Sequence, residues 1–170
     1  MAGSRVLVVF YSRTGTTDKV AQALAAELGA DTEEVIDMKR RRGPLGFAAS
    51  IKDALLKKTT RIKETKHAPS AFNLVLVGTP VWAGSVAPAI RRYLEQNRDG
   101  LTRPVFFLTT ASTGIEHTFE QMGEICGKEP LATFSLLTRE VKKGEHRDKV
   151  RAFAEHVRHE LLDPPPGENA

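Results

Sequence analysis

The sequence has 170 residues, 41% hydrophobic and 27% charged, which suits one domain with a sizeable core and excludes a disordered or fibrous chain. No apolar run approaches the ~20 residues of a membrane span, the start of the chain runs straight into a strand-like segment so that no signal peptide is expected, and the single cysteine, Cys126, can close no intrachain disulfide. A reducing, cytoplasmic compartment is the expectation. The formal net charge is +4, yet residues 39–66 hold ten Lys and Arg against Asp53 and Glu64, so that stretch is +8 and the remainder −4. Such a stretch suits nucleic acid, anionic lipid, an acidic protein or a phosphorylated ligand. The ordinary reading is a solvated basic face, and no nucleic-acid partner is expected.

Residues 5–11 (RVLVVFY) read as a strand buried on both faces, because the apolar run is continuous rather than alternating. Thr17, Ala21, Leu24 and Leu28 then recur at helical spacing, with Gly29 as a stop. Residues 31–37 form a weaker strand around Val35 and Ile36, Gly43-Pro44 breaks the chain, and Phe47, Ile51 and Leu55 mark one helix face. Residues 72–78 are a buried strand, and Val86, Ile90 and Leu94 mark the next helix, with Pro88 tolerated in its first turn. Residues 104–110 are another buried strand; Phe119, Met122 and Cys126 share a helix face; residues 131–138 are the last strand; Val150, Phe153, Val157 and Leu161 form the final helix. Five β/α units in succession predict a doubly wound, five-stranded parallel α/β sheet with helices on both faces. Residues 1–162 are expected to form one domain, and the proline-rich tail from Asp163 to Ala170 is expected to be disordered.

Ligands of such sheets bind at the C-terminal ends of the strands. There the first strand ends Tyr11-Ser12-Arg13-Thr14-Gly15-Thr16-Thr17. Four hydroxyls and a glycine crowd a helix N-terminus, whose unpaired N–H groups and partial positive charge favour an anion. One cap needs one hydroxyl, so the surplus points to a terminal phosphate held with little cationic help. Neither GxGxxG nor GxxxxGK[ST] follows the first strand, which argues against a dinucleotide site or a P-loop NTPase. Cys126 has no Arg six positions on, which removes a C-x5-R phosphatase, and Tyr11-Ser12 and Thr79-Pro80 stand where a receiver domain needs acids. The five histidines are scattered, and no metal site is expected.

The loop Ser12-Arg13-Thr14-Gly15-Thr16-Thr17 resembles the [ST]-x-T-G-x-T phosphate loop of flavodoxins, and Gly78-Thr79-Pro80-Val81-Trp82-Ala83-Gly84 resembles the family's flavin-ring loop, G-[ST]-P-x-[YW]-x-G. The resemblance spans about residues 4–162 and implies FMN as cofactor, bound at the switch point between strands one and three of a 2-1-3-4-5 sheet. Trp82, the one Trp of the chain, would stack on the flavin ring, worth roughly 0.5–1.5 kcal/mol beyond burial; the alternative for it is a lid over the core. Gly78 and Gly84 would let backbone approach the ring. The third loop, Thr110-Ala111-Ser112-Thr113-Gly114 after Thr109, lines the ring edge and ribityl chain in the family, but lacks the aromatic that many electron carriers present there. Glu116 and His117 stand within reach of the ring edge or, as the more ordinary role, on the surface.

The flavin itself carries the chemistry, so no catalytic side chain is assigned. The resemblance implies electron transfer between protein partners; the alternatives are an NAD(P)H-dependent FMN or quinone oxidoreductase and a non-redox FMN-binding module. The partners are accordingly a redox protein, or NAD(P)H and a quinone, with the chain a monomer or homodimer. A basic chain departs from the acidic character usual among the carriers.

Overall fold

The structure, a computed structural model, describes residues 5–39 and 43–163. Apart from Asp163, the tail lies outside the described residues, as do Arg40, Arg41 and Arg42 of the basic stretch. The elements are β1 (Val6–Phe10), α1 (Thr16–Leu28), β2 (Asp31–Glu34), α2 (Gly43–Leu55), β3 (Leu74–Trp82), β4 (Ser85–Val86), α3 (Pro88–Gln96), β5 (Pro104–Thr110), α4 (Ile115–Cys126), β6 (Thr133–Leu137), α5 (Thr138–Lys143) and α6 (His146–His156). The sheet runs β2-β1-β3-β5-β6, all parallel, with β4 hairpinned antiparallel onto the end of β3. With the two-residue β4 set aside, this is the expected 2-1-3-4-5 order. Among the described residues no helix is long and apolar enough to cross a membrane.

Alternation along the strands splits the core into two layers. Leu7, Val9, Val75, Val77, Phe106 and Leu108 face Ile90 and Leu94 of α3 and Phe119, Met122 and Cys126 of α4. Val6, Val8, Phe10, Leu76, Val105 and Phe107 face Val20 and Leu24 of α1 and Val150 of α6. Both layers are apolar, which is why the central strands read as unbroken hydrophobic runs. Cys126 is fully buried, and burial pushes its thiol up from the usual range, so it is an inert core residue at neutral pH.

Three boundaries differ from expectation for identifiable reasons. β2 stops at Glu34 rather than residue 37; it is an edge strand pairing only with β1, and its end residues Asp31 and Glu34 are exposed charges. β3 continues through Pro80 to Trp82, four residues past the expected end. Proline is tolerated there because β1 pairs no further along β3 than Gly78, leaving Pro80 a partner, Thr109, on one side only. The last strand stops at Leu137 because Thr138 opens α5, a helix that the periodicity did not reveal.

The Glu140 carboxylate anchors α5. It accepts the Leu137 backbone N–H at 2.9 Å and the Lys149 ammonium at 2.5 Å. The Lys149 hydrogen bond, then that of Leu137, hold its pKa below the usual value of 4.5. A depressed carboxyl adds stability that is present above the unfolded-state pKa and is lost as pH falls through the folded one. Glu140→Gln is therefore expected to make the stability loss below about pH 4.5 shallower, as read from urea midpoints across an acid series.

Candidate functional site

Helix α1 begins with Gly15 in the left-handed region at φ 86°, and no side chain caps it. Only glycine adopts that conformation cheaply, and it aims the first N–H groups of α1 outward past the C-terminal edge of β1. Ser12 braces the turn, its Oγ accepting the Gly15 N–H at 3.1 Å while its own proton stays available to donate. Thr14 is exposed, and Thr16 is half-buried beside it. Thr17 differs from the other hydroxyls: it is buried, with its Oγ1 2.8 Å from Thr109 Oγ1 on β5, so it ties α1 to the sheet.

Beside this turn stands the β3–β4 hairpin. Val81 pairs with Val86 and Trp82 with Ser85, which leaves Ala83-Gly84 as a two-residue turn with φ of 49° and 71°. Two successive positive φ values suit the right-handed twist of a hairpin. Ala83 is the strained member, since a non-glycine residue there costs about 1–2 kcal/mol. Ala83→Asn is expected to stabilise the protein by up to about 1 kcal/mol, raising Tm by about 2–4 °C in a thermal melt. The Trp82 ring is half-buried and stands edge-on to Tyr11, with centroids 5.6 Å apart and planes at 83°.

A buried polar network that sequence reading missed supports the hairpin from α4. Gln121 Oε1 accepts the Ser85 hydroxyl at 2.7 Å, the Val86 N–H at 3.2 Å and Arg91 Nη2 at 3.3 Å. Three donors around one oxygen fix the amide orientation, so Gln121 Nε2 donates to His117 Nε2 at 2.8 Å. Burial lowers the pKa of the Arg91 guanidinium. Thr79 Oγ1 adds to the support, accepting the Ala87 N–H at 3.1 Å and donating to the Pro80 carbonyl at 2.9 Å.

The third loop folds on itself: Thr110 Oγ1 donates to the Thr113 carbonyl at 2.8 Å, and Thr118 Oγ1 to the Gly114 carbonyl at 2.6 Å. Gly114, at φ 84°, packs so closely that a Cβ there would stand 2.7 Å from the Gly84 Cα. The second and third loops therefore touch backbone to backbone.

Between these loops lies a half-open cavity of about 260 Å³. Of the residues singled out from sequence, Ser12, Arg13, Thr14, Thr16, Thr17, Pro80, Val81, Trp82, Ala83, Thr110 and Ala111 line it. Gly15, Thr79, Gly84, Ser112, Thr113 and Gly114 shape the surrounding backbone without standing on its wall. Glu116 and His117 are exposed on α4 and do not line the cavity; Glu116 borders a separate groove with Glu120 and Glu124. Four lining residues went unassigned: Phe47 and Ile51 of α2, Thr109 of β5 and Thr138 of α5. Phe47 was legible as a helix-face aromatic but not as part of the site. The Arg13 guanidinium covers its ring, 5.0 Å from the centroid.

The wall divides chemically. Part of it offers an uncapped helix N-terminus and several hydroxyls, which suit a phosphate; Trp82, Val81, Ile51 and, beneath Arg13, Phe47 supply apolar surface that suits a flat ring.

Comparison with known proteins places the fold among flavoproteins. A flavoprotein from Lactobacillus acidophilus, solved in complex with FMN, is 22% identical with a TM-score of 0.70, over 83% of this chain and 98% of that one. A flavodoxin, WrbA-like protein from Agrobacterium tumefaciens is 16% identical with a TM-score of 0.54, over 92% and 98%. An NADH:FMN oxidoreductase in its apo form is 15% identical with a TM-score of 0.56, over 94% and 91%. At these identities the likeness shows the fold. No curated protein matches the sequence. A family model described as Flavodoxin matches residues 5–153, nearly the full length, and by that match the chain belongs to the flavodoxin family.

Proposed function

We propose that the cavity holds FMN and that the protein is an FMN-dependent electron carrier working between protein partners. The single observation that carries this reading is the junction, in one cavity, of an uncapped, hydroxyl-rich helix N-terminus with a Trp82 and Phe47 wall. The N–H groups of the first turn of α1, with the Ser12, Thr14 and Thr16 hydroxyls, would hold the terminal phosphate. Trp82 and Phe47 would receive the ring, and the Gln121 network would hold the Trp82 hairpin in place. Bound there, FMN would supply reversible uptake and release of electrons.

Carrier is preferred to oxidoreductase because of Phe47. The third loop lacks an aromatic, but α2 brings one to the same cavity, so a bound ring would have two aromatic neighbours and leave less open surface for a nicotinamide. The second reading, an NAD(P)H-dependent oxidoreductase, draws on the basic residues 39–66, a field that attracts nicotinamide phosphates. Mixing the FMN-loaded protein with NADH or NADPH under anaerobic conditions separates the two. Flavin absorbance that persists for minutes but bleaches with a reduced protein donor fits the carrier. Bleaching within seconds by either nicotinamide would reject it for the oxidoreductase.

A further inference from the structure

Helix α2 is inverted relative to an ordinary surface helix. Its buried positions are Gly46, Ser50, Asp53 and Ala54, whereas Leu45 is 87% exposed, Leu55 61% and Phe47 47%. Leu56 and Met38, flanking the helix, are 54% and 60% exposed. Of seven large hydrophobic side chains exposed among the described residues, six lie between Ile36 and Leu56. The inward face is satisfied without them: Ser50 Oγ donates to the Gly46 carbonyl at 2.7 Å, and Lys39 Nζ meets Asp53 at 2.6 Å.

The same stretch carries the +8 charge. Lys52 stands on the outward face of α2, and Lys57, Lys58, Arg61 and Lys63 follow it, all exposed. An apolar face rimmed by cations is a mark of docking, because neither water nor the protein core rewards it. Two copies of this face would oppose like charges, which disfavours self-pairing. An anionic bilayer complements both features at once, taking the leucines below the headgroups and the ammonium groups beside the phosphates.

We infer that the outward face of α2 with residues 56–63 is a peripheral docking surface for an anionic lipid bilayer. Phe47 belongs to both this face and the cavity wall, so docking sets the cavity mouth at the membrane boundary. The inference stands apart from cofactor and electron transfer, and its test needs neither.

The full-length protein is floated with vesicles of phosphatidylglycerol and phosphatidylcholine in equal parts, and with vesicles of phosphatidylcholine alone. It is expected to rise with the anionic vesicles only, and to be released by high salt. Lys57→Gln with Lys58→Gln should weaken partitioning about 25-fold, at about fivefold per cation. Leu45→Ser with Leu55→Ser should weaken it at least tenfold, as roughly expected for lost apolar insertion, with circular dichroism and the unfolding midpoint unchanged because both side chains are exposed. The inference is overturned by equal flotation with neutral vesicles, or by none with anionic ones. Retention on a polyglutamate matrix without vesicle binding would overturn it for an acidic protein partner. A dimer in sedimentation that Leu45→Ser dissociates, again without vesicle binding, would overturn it for self-association.

Discussion

FMN is expected to bind this protein at least ~100-fold more tightly than riboflavin, which has the same ring and lacks the phosphate. A phosphate monoester carries about −1.5 to −2 charge at neutral pH, and each hydrogen bond to a charged group contributes roughly 1.5–3 kcal/mol. Losing two such bonds at the N-terminus of α1 already accounts for about two orders of magnitude. Calorimetric titration of the apoprotein with each flavin measures the ratio, and equal affinities would remove the phosphate assignment. Thr14→Ala and Thr16→Ala should lower FMN affinity and leave riboflavin unchanged. Thr17→Ala should behave differently. Its hydroxyl bridges to Thr109, so the variant loses stability, by about 1 kcal/mol, whether or not flavin is present.

Gly78→Ala is expected to destabilise the protein by about 3 kcal/mol or more, a large part of the 5–15 kcal/mol typical of a domain. A Cβ at position 78 would lie 2.0 Å from Phe107 Cζ, 2.3 Å from Cε2 and 2.6 Å from Cε1. The two residues face each other across β3 and β5, and the Phe107 ring is fully buried, with packed neighbours on every side. Neither central strand can move without disturbing the ladders beside it. Gly78→Ala combined with Phe107→Leu should recover part of the loss, since the smaller side chain makes room for the methyl. Urea unfolding of the two variants decides the matter; an unchanged midpoint for Gly78→Ala would show that the sheet relaxes there at no cost.

That glycine also shows where sequence reading reached its limit. Gly78 sits inside a motif whose neighbours line the cavity, and it was read as letting backbone approach a flavin ring. Its space is taken instead by Phe107, a partner 29 positions away that only the sheet register reveals. The parallel α/β sheet was legible because β1, β3 and β5 are continuous apolar runs separated by helical spacing, whereas its strand order followed only from the family resemblance. The two loop motifs were legible because their residues are adjacent in sequence. Phe47 and Thr138 reach the cavity from other β/α units, so nothing local to the motifs announced them. The spacing of Phe47, Ile51 and Leu55 gave the helix correctly, yet periodicity alone does not say which face meets the core. In α2 the small and polar residues turn inward and the large apolar ones outward.

A crystal structure of the protein grown with FMN would decide whether the cavity is the flavin site. Density is expected in the cavity between the three loops, with the phosphate accepting hydrogen bonds from the N–H groups that open α1 and from the Ser12, Thr14 or Thr16 hydroxyls, and with the ring in van der Waals contact with Trp82. Density elsewhere on the molecule, or a flavin with its ring at the α1 end and its phosphate beside Trp82, would contradict it.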